Sequence, residues 1–117
     1  MIEVYHLSKR FGDRVALNNV SFTVKRGQIF GFLGPSGSGK TTMIKILTGQ
    51  LIADEGESII LGQKSPNLAS SELEKIGIVS DTSGFYEKMS LYDNLLFYSK
   101  FYNISQSRVD DLLKRVG

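Results

Sequence analysis

A glycine-rich segment at residues 34–42 constrains the fold of this chain more than any other feature. It reads Gly-Pro-Ser-Gly-Ser-Gly-Lys-Thr-Thr and fits the pattern G-x-x-x-x-G-K-[ST] at every specified position. The glycines let the backbone curl so that its N–H groups point inward, and the N-terminus of a following helix favours anions. The segment therefore predicts a phosphate-binding loop and, with it, a nucleotide-binding protein.

Individual positions of this loop have predicted roles. Lys40 would reach the β- and γ-phosphates, which makes it the candidate catalytic residue. Thr41 offers a hydroxyl to Mg²⁺, a hard cation that prefers oxygen ligands and substrate phosphate. Thr42 would cap the helix or contact an inner phosphate. The candidate phosphate-binding residues are Gly34, Pro35, Ser36, Gly37, Ser38, Gly39, Lys40, Thr41 and Thr42.

Both flanks of the loop match the context that the pattern requires. Gln28–Leu33 is a short apolar run with aromatic and β-branched residues, which predicts a buried strand. Behind the loop, the apolar residues at positions 43, 44, 46 and 47 fall on one helical face, and Gly49 follows as a C-cap. The predicted order is therefore strand, glycine loop, helix.

Composition narrows the class of protein. The 117 residues suffice for one domain, and 14 lysines and arginines against 12 acidic residues are scattered without a block of like charge, so nothing argues for nucleic-acid binding. The absence of cysteine excludes disulfides and thiol chemistry. The start lacks the layout of a signal peptide, and no segment approaches the ~20 apolar residues of a membrane span. These features predict a cytoplasmic protein.

The remaining pattern predicts an α/β fold. Alternation indicates strands at residues 2–7 and about 15–24, separated by a turn at 11–14, and shorter strands at 58–62 and 76–80. An antiparallel β layer would therefore lie beside the nucleotide-binding strand.

Two helices are predicted towards the end of the chain. Ser90 is a candidate N-cap, and Asp93 three residues later resembles a capping box with Asp in place of Glu. A last helix is predicted to begin near Ser105 or Ser107.

Over essentially all 117 positions the chain resembles the N-terminal half of the nucleotide-binding domain of ABC transporters. Beyond the phosphate loop, several segments occur in the order typical of that family: Leu7–Gly12, Val15–Phe22, Gly27, Asp54–Gly56 and Gly62. The resemblance implies a P-loop NTPase fold and binding of ATP with Mg²⁺. It also implies that Phe11 stacks on the adenine ring, as the aromatic at this position does in the family. The opening around Phe11 and the residues 29–34 resemble bacterial drug, lantibiotic and bacitracin exporter subunits.

One departure from the family pattern concerns the metal. After the strand at 76–80 the family places a glutamine that touches Mg²⁺ and senses the γ-phosphate, whereas this chain has Asp81. A carboxylate can also ligate Mg²⁺, so Asp81 joins Thr41 as a candidate metal ligand. The resemblance further implies that Thr82–Met89 faces the membrane subunits, with Phe85, Tyr86 and Lys88 as candidate contacts.

The resemblance also defines what lies outside the sequence. The family's signature segment, its Walker B strand and its switch histidine would all follow Gly117, and His6 is interpreted as a surface or edge residue of the first strand. Residues 1–117 are therefore expected to form the N-terminal part of one nucleotide-binding domain, which binds nucleotide without turnover and self-associates through an uncovered apolar face. The full-length protein is expected to be an ATPase on the inner face of the cell membrane, partnered by transmembrane subunits and a second nucleotide-binding domain.

Two alternatives stay open at this point. Asp81, Thr82, Ser83 and Gly84 match the weak D-x-x-G switch pattern of GTPases and follow a predicted strand. The chain could also come from an ABC ATPase that does not serve transport. The sequence does not select a cargo, because a membrane subunit chooses it in this family.

Overall fold

The computed structural model describes residues 1–35, 37–79 and 84–117, which divide into two compact units. The first unit, Met1–Ile76, contains β1 (Ile2–Phe11), β2 (Arg14–Val24), α1 (Lys40–Leu47), β3 (Glu55–Ile60), β4 (Gln63–Lys64), a 3₁₀ turn (Ser65–Asn67) and α2 (Ser70–Leu73). The second unit, Gly77–Gly117, contains α3 (Leu91–Phe101) and α4 (Gln106–Val116).

The sheet of the first unit is antiparallel with strand order β2-β1-β3-β4. A tight turn at Gly12 and Asp13 joins β1 to β2, so Phe11 pairs with Arg14 and Ile2 pairs with Val24. Gly12 has a φ of +59°, which favours glycine at this turn. The predicted antiparallel layer is confirmed, and β1 is longer than predicted because its pairing continues to Phe11.

The middle of β1 is irregular. The register of its pairing with β2 shifts between Val4 and Leu7, and His6 between them has a φ of +49°. The His6 amide donates to Ser21 Oγ at 2.8 Å, and the ring Nδ1 lies 2.9 Å from Asn19 Oδ1. Polar side chains thus replace ladder hydrogen bonds at a β-bulge. His6 is exposed, but β1 lies between β2 and β3, so His6 is a surface residue and not a residue of an edge strand.

The core of the first unit lies between the sheet and α1. Its fully buried members are Val4, Leu7, Leu17, Met43 and Ile46. Because β1 and β2 supply one side of this core and one face of α1 supplies the other, the helix is held against the sheet by apolar burial rather than by propensity.

α1 ends as its sequence predicts. Gly49 has a φ of +78°, its amide donates to Ile46 O at 3.1 Å, and the Gln50 amide donates to Lys45 O at 2.8 Å. This pair of bonds is a Schellman motif, which satisfies carbonyl groups that the last helical turn leaves free. The predicted C-cap at Gly49 is confirmed.

Two predicted strands are wrong in the described residues. Gln28–Leu33 and the described part of the 76–80 segment, residues 76–79, are not assigned as strands. Within the ranges 1–35, 37–79 and 84–117, no β-strand forms a ladder with either segment. Because a strand is defined by bonds to a neighbour, apolar alternation alone cannot produce one.

The second unit is a pair of packed helices. α3 begins after Ser90, whose hydroxyl accepts a hydrogen bond from the Asp93 amide at 3.0 Å, so the predicted N-cap is confirmed. α4 begins at Gln106 after Ser105, within the predicted range. Val109 is the buried residue of α4, and the Gln106 side chain donates to the Tyr92 hydroxyl at 2.6 Å.

Candidate phosphate-binding site

The glycine-rich loop folds into a tight turn that leads into α1. The Ser38 amide donates to Pro35 O at 3.1 Å, and Gly37 and Gly39 have φ values of +82° and +96°. Gly39 is the N-cap of α1, which begins at Lys40. Ser36, one of the predicted phosphate contacts, lies outside the described residues.

Gly39 fixes the loop against β2. A Cβ atom at this position would collide with the carbonyl oxygen of Ala16 and lie 2.8 Å from Leu17 Cδ2. The left-handed backbone and the close approach both require glycine here. The N-terminus of α1 is therefore positioned by direct contact with the sheet.

The first turn of α1 has the chemistry of an anion site. Its N-terminal backbone N–H groups have no acceptor inside the helix, the N-cap Gly39 supplies no side-chain cap, and the first turn carries no acidic residue. Thr41 is exposed at this turn, whereas Thr42 is 9% exposed and packs inward. The residues present therefore fit a phosphate chain, with the Thr41 hydroxyl available to a cation beside it.

Lys40 lies over the loop. Its Nζ donates to the carbonyl oxygens of Gly34 and Pro35, the latter at 3.4 Å. The carbonyl oxygens of the loop thus hold the positive charge of Lys40 over the loop. This arrangement suits an anion that bridges the lysine and the helix N-terminus.

Phe11 lies at the end of β1, 42% exposed, within the same unit as the loop. Lys9 Nζ is 5.4 Å and the Arg14 guanidinium carbon 5.9 Å from the centroid of its ring. Arg14 begins β2, and Ala16 two residues further contacts Gly39. One strand therefore links the aromatic platform to the phosphate-binding loop.

Asp54 is a residue of this region to which the sequence pattern assigned no role at the site. Its Oδ2 accepts the Arg10 amide at 2.7 Å, and its Oδ1 lies 3.3 Å from Lys9 Nζ. The backbone hydrogen bond from Arg10, followed by the bond from the Lys9 ammonium, lowers the pKa of this carboxyl below its ordinary value. Asp54 and Arg10 are 44 positions apart in sequence, and only the tertiary structure brings them together.

In the second unit, the candidate contacts Phe85, Tyr86 and Lys88 are all exposed. Asn94, which the sequence pattern did not indicate, is 6% exposed and holds this segment from α3. Its Oδ1 accepts the Tyr86 amide at 2.7 Å, and its Nδ2 donates to Tyr86 O at 3.0 Å and to Ser90 O at 2.9 Å. Asp81, the candidate metal ligand, lies outside the described residues.

An apolar groove of about 450 Å³ lies between α1 and the segment that precedes the loop. Phe30 stacks on Phe22 of β2 with ring centroids 4.9 Å apart, which holds part of the segment against the sheet. Ile29 and Leu33 are nevertheless fully exposed.

In this chain a glycine-lysine-threonine loop leads directly into a helix, and the helix packs on a sheet. This combination is typical of the P-loop NTPase class of α/β folds. The sequence matches the ABC transporter family over residues 17–117. This chain belongs to the ABC transporter family. The predicted family and fold are thereby confirmed, and the GTPase alternative is not needed to explain the phosphate-binding pattern.

Several relatives share the whole length of this chain. It is 33% identical over 117 residues both to the lantibiotic transport ATP-binding protein SrtF of Streptococcus pyogenes and to the probable multidrug ABC transporter ATP-binding protein YbhF of Escherichia coli. The match covers 100% of this chain but 50% of SrtF and 20% of YbhF. The chain therefore spans half the length, or less, of these curated relatives.

A solved structure supports the same assignment. The dimeric ATP-binding cassette MJ0796, in a post-hydrolysis state bound to ADP and phosphate, superposes with a TM-score of 0.74 at 28% identity. The match covers 97% of this chain and 56% of the cassette. Among the helices of the described residues, none has the length and apolarity needed to span a bilayer.

Proposed function

We propose that this chain is the ATP-holding part of the ATP-binding subunit of an ABC transporter. The observation that carries the proposal is the arrangement at the start of α1, where Gly39 fixes the helix N-terminus against β2 and Lys40 lies over the loop carbonyls. Recognition of a phosphate chain requires N–H donors and a positive charge, which the start of α1 and Lys40 supply. The ATP-binding proteins related to this chain support ATP as the ligand.

Each candidate residue then has a role in nucleotide binding. The backbone of Gly34, Pro35 and residues 36–39 surrounds the phosphates, and Lys40 replaces its carbonyl partners with β- and γ-phosphate oxygens. Thr42 supports an inner phosphate from its buried position, and Phe11 stacks on the adenine. Ring stacking accounts for base binding without hydrogen-bond readout.

Thr41 and Asp81 are proposed to hold Mg²⁺ beside the phosphates. The ion, when bound, supplies positive charge that neutralises the charge developing on the transferred phosphoryl group. Thr41 contributes its exposed hydroxyl, and Lys40 contributes a second positive charge. Lys40 is therefore the catalytic residue that this chain supplies.

Coupled ATP hydrolysis and transport are proposed for the whole protein, not for these 117 residues alone. Phosphoryl transfer to water also needs a group that positions the water. The proposal is that residues beyond this chain supply that group, that a second nucleotide-binding domain completes the site, and that transmembrane subunits receive the motion. The full-length protein would then be peripheral on the inner face of the membrane. The segment with Phe85, Tyr86 and Lys88 is proposed as the surface that contacts those subunits.

Calorimetric titration of the purified chain tests the binding proposal. MgATP should bind saturably, and Lys40→Ala should remove the contact to the β- and γ-phosphates, with a loss of roughly 2 to 3 kcal/mol. Phe11→Ala should cost about 1 to 3 kcal/mol through lost stacking. Lys45→Ala is the matched control, because Lys45 is exposed near the other end of α1. GTP and metal-free ATP complete the series.

Saturable binding weakened by Lys40→Ala and Phe11→Ala, but not by Lys45→Ala, would support the proposed cradle. A folded chain that binds no MgATP would overturn it. Phosphate release is measured on the same samples, and the proposal expects none from the chain alone. Turnover that disappears in Lys40→Ala would show that these residues already contain a complete hydrolytic site.

A further inference from the structure

We infer that Asp54 is a positioning residue that holds the end of β1 so that Phe11 is presented to the nucleotide base. The inference rests on the proposed function, because it assigns a role to a residue that acts through the proposed base platform. Asp54 itself does not touch Phe11. Its contacts run to Arg10 and Lys9, the two residues that precede Phe11 in β1.

The carboxylate continues the sheet where the backbone ladder stops. Pairing between β1 and β3 ends at Ser8 and Glu55, and the Asp54 amide adds a bond to Ser8 O at 2.9 Å. Beyond that point the Arg10 amide donates to Asp54 Oδ2 at 2.7 Å. A side chain thus takes the place of the next strand partner and anchors β1 one residue before Phe11.

Lys9 transmits a second restraint to the ring. Its side chain is 16% exposed, and its Nζ lies 3.3 Å from Asp54 Oδ1 and 5.4 Å from the Phe11 ring centroid. The distance from Lys9 Nζ to the ring centroid shows directly that the two side chains are neighbours, and Arg14 pairs with Phe11 across the hairpin. The ammonium group is therefore held between the carboxylate and the aromatic ring.

An exposed ring that stacks on a base loses rotational freedom on binding. Contacts that restrict the ring beforehand reduce this cost, so they raise affinity without touching the ligand. Asp54 lies on the base side of the proposed site, whereas the phosphates are assigned to the loop and α1. Loss of Asp54 should consequently weaken base recognition and leave phosphate recognition unchanged.

Titration with two ligands separates these effects. Wild-type chain, Asp54→Ala and Asp54→Asn are titrated with MgATP and with magnesium tripolyphosphate, which has the phosphates but no base. The matched control is Glu57→Gln. Glu57 has the same 47% side-chain exposure as Asp54 and the same 3.3 Å ion-pair distance, but it pairs with Lys64, away from the hairpin end. Circular dichroism confirms that each variant is folded.

We expect Asp54→Ala to lower MgATP affinity about fivefold to tenfold, a part of the full stacking contribution, and to change tripolyphosphate affinity less than about twofold. Asp54→Asn, which keeps an acceptor for the Arg10 amide, should show a smaller loss. In a Phe11→Ala background, Asp54→Ala should have no further effect. Glu57→Gln should bind both ligands as wild type does.

Several results would contradict the proposed role of Asp54. Equal losses for MgATP and tripolyphosphate would show that Asp54 only stabilises the fold, and an unchanged MgATP affinity in Asp54→Ala would remove the role altogether. A full additional loss in the Phe11→Ala background would show that Asp54 does not act through the ring. A folded wild-type chain that binds neither ligand would instead refute the proposed function, and this inference with it.

Discussion

β1 and the segment Gln28–Leu33 are both rich in apolar residues, yet only β1 is paired in the sheet and buried in the first unit. β1 pairs with β2 on one edge and with β3 on the other, and its Val4 and Leu7 are 1% and 0% exposed. In Gln28–Leu33, which we call the unpaired segment, Ile29 and Leu33 are 103% and 95% exposed. The difference lies in their neighbours and not in their hydrophobicity.

A β-strand forms only where its backbone makes hydrogen bonds to a neighbouring strand. β1 has a partner on each edge, β2 through a tight turn and β3 from beyond α1, so its backbone groups and its apolar face are satisfied together. The unpaired segment is held by side chains rather than by a ladder: Phe30 and Phe32 contact Phe22, with ring centroids 4.9 and 5.7 Å away, and the segment forms one side of a groove against α1. The comparison predicts that stability is concentrated on β1 and that the unpaired segment contributes little.

The largest expected change in the free energy of unfolding comes from truncating a buried side chain of β1. Leu7→Ala removes a fully buried side chain beside Met43 and Ile46 and should lower the free energy of unfolding by about 2 to 5 kcal/mol. Leu33→Ala removes an equal volume from an exposed position and should change it by less than about 0.5 kcal/mol. Urea unfolding followed by circular dichroism measures both, and similar losses would show that the unpaired segment is buried after all.

A substitution at one glycine of β3 should disrupt the pairing between β3 and β1. Gly56 has a φ of +81°, and a Cβ there would collide with the carbonyl oxygens of Tyr5 and His6. Gly56→Ala should cost about 2 to 3 kcal/mol through strain and separation of β3 from β1. Gly62 has a similar φ of +78° but open space around it, so Gly62→Ala should cost only about 1 kcal/mol. Equal costs would mean that the close approach at Gly56 is not restrictive.

The same comparison explains how much of the fold the sequence could predict. β1, β2 and α1 were predictable because a turn at Gly12 and a C-cap at Gly49 specify them locally. The strand predicted at Gln28–Leu33 was wrong because its formation depends on a partner strand, about which a local apolar run contains no information. Periodicity reports which face of a segment is apolar, not what covers it.

The candidate site divides in the same way. The candidate phosphate-binding residues follow a contiguous pattern, so the sequence alone indicated residues 34–42. The tie from Asp54 to Arg10 and Lys9 and the hold of Asn94 on Tyr86 required tertiary structure, because hydrogen bonds between side chains and distant backbone leave no periodic signal. The role of Phe11 was available only through the family resemblance and stays a prediction.

The unpaired segment should also govern self-association. An exposed apolar segment with unsatisfied backbone groups is a template for pairing with a second copy, so we expect the chain to form oligomers at micromolar concentration. Ile29→Lys should shift sedimentation towards monomer while leaving the free energy of unfolding within about 0.5 kcal/mol. Lys45→Ala, a change on the exposed side of α1, is the control. A monodisperse wild-type monomer with a cooperative melt would contradict this expectation.

The smallest expected effect is the loss of stability at low pH. It tests whether the charge of Asp54 holds the end of β1. Bonds from the Arg10 amide and the Lys9 ammonium lower the pKa of Asp54, so the unfolded chain takes up a proton on this residue at a higher pH than the folded chain does. The stabilisation is complete above the unfolded aspartate pKa of about 3.9 and is lost as pH falls through the lowered folded value.

Urea midpoints of wild type and Asp54→Asn should therefore differ at pH 6. They should begin to converge below about pH 4, where the unfolded chain starts to protonate Asp54, and should meet only below the lowered pKa of the folded chain. Glu57→Gln removes one carboxylate from the same sheet and controls for net charge. Because Asp54 is solvent-exposed, the difference should be modest and should shrink further in high salt. A gap between wild type and Asp54→Asn that persists unchanged to pH 2 would show that the amide fails to hold the strand for steric reasons. The end of β1 would then be held by the shape of the carboxylate and not by its charge.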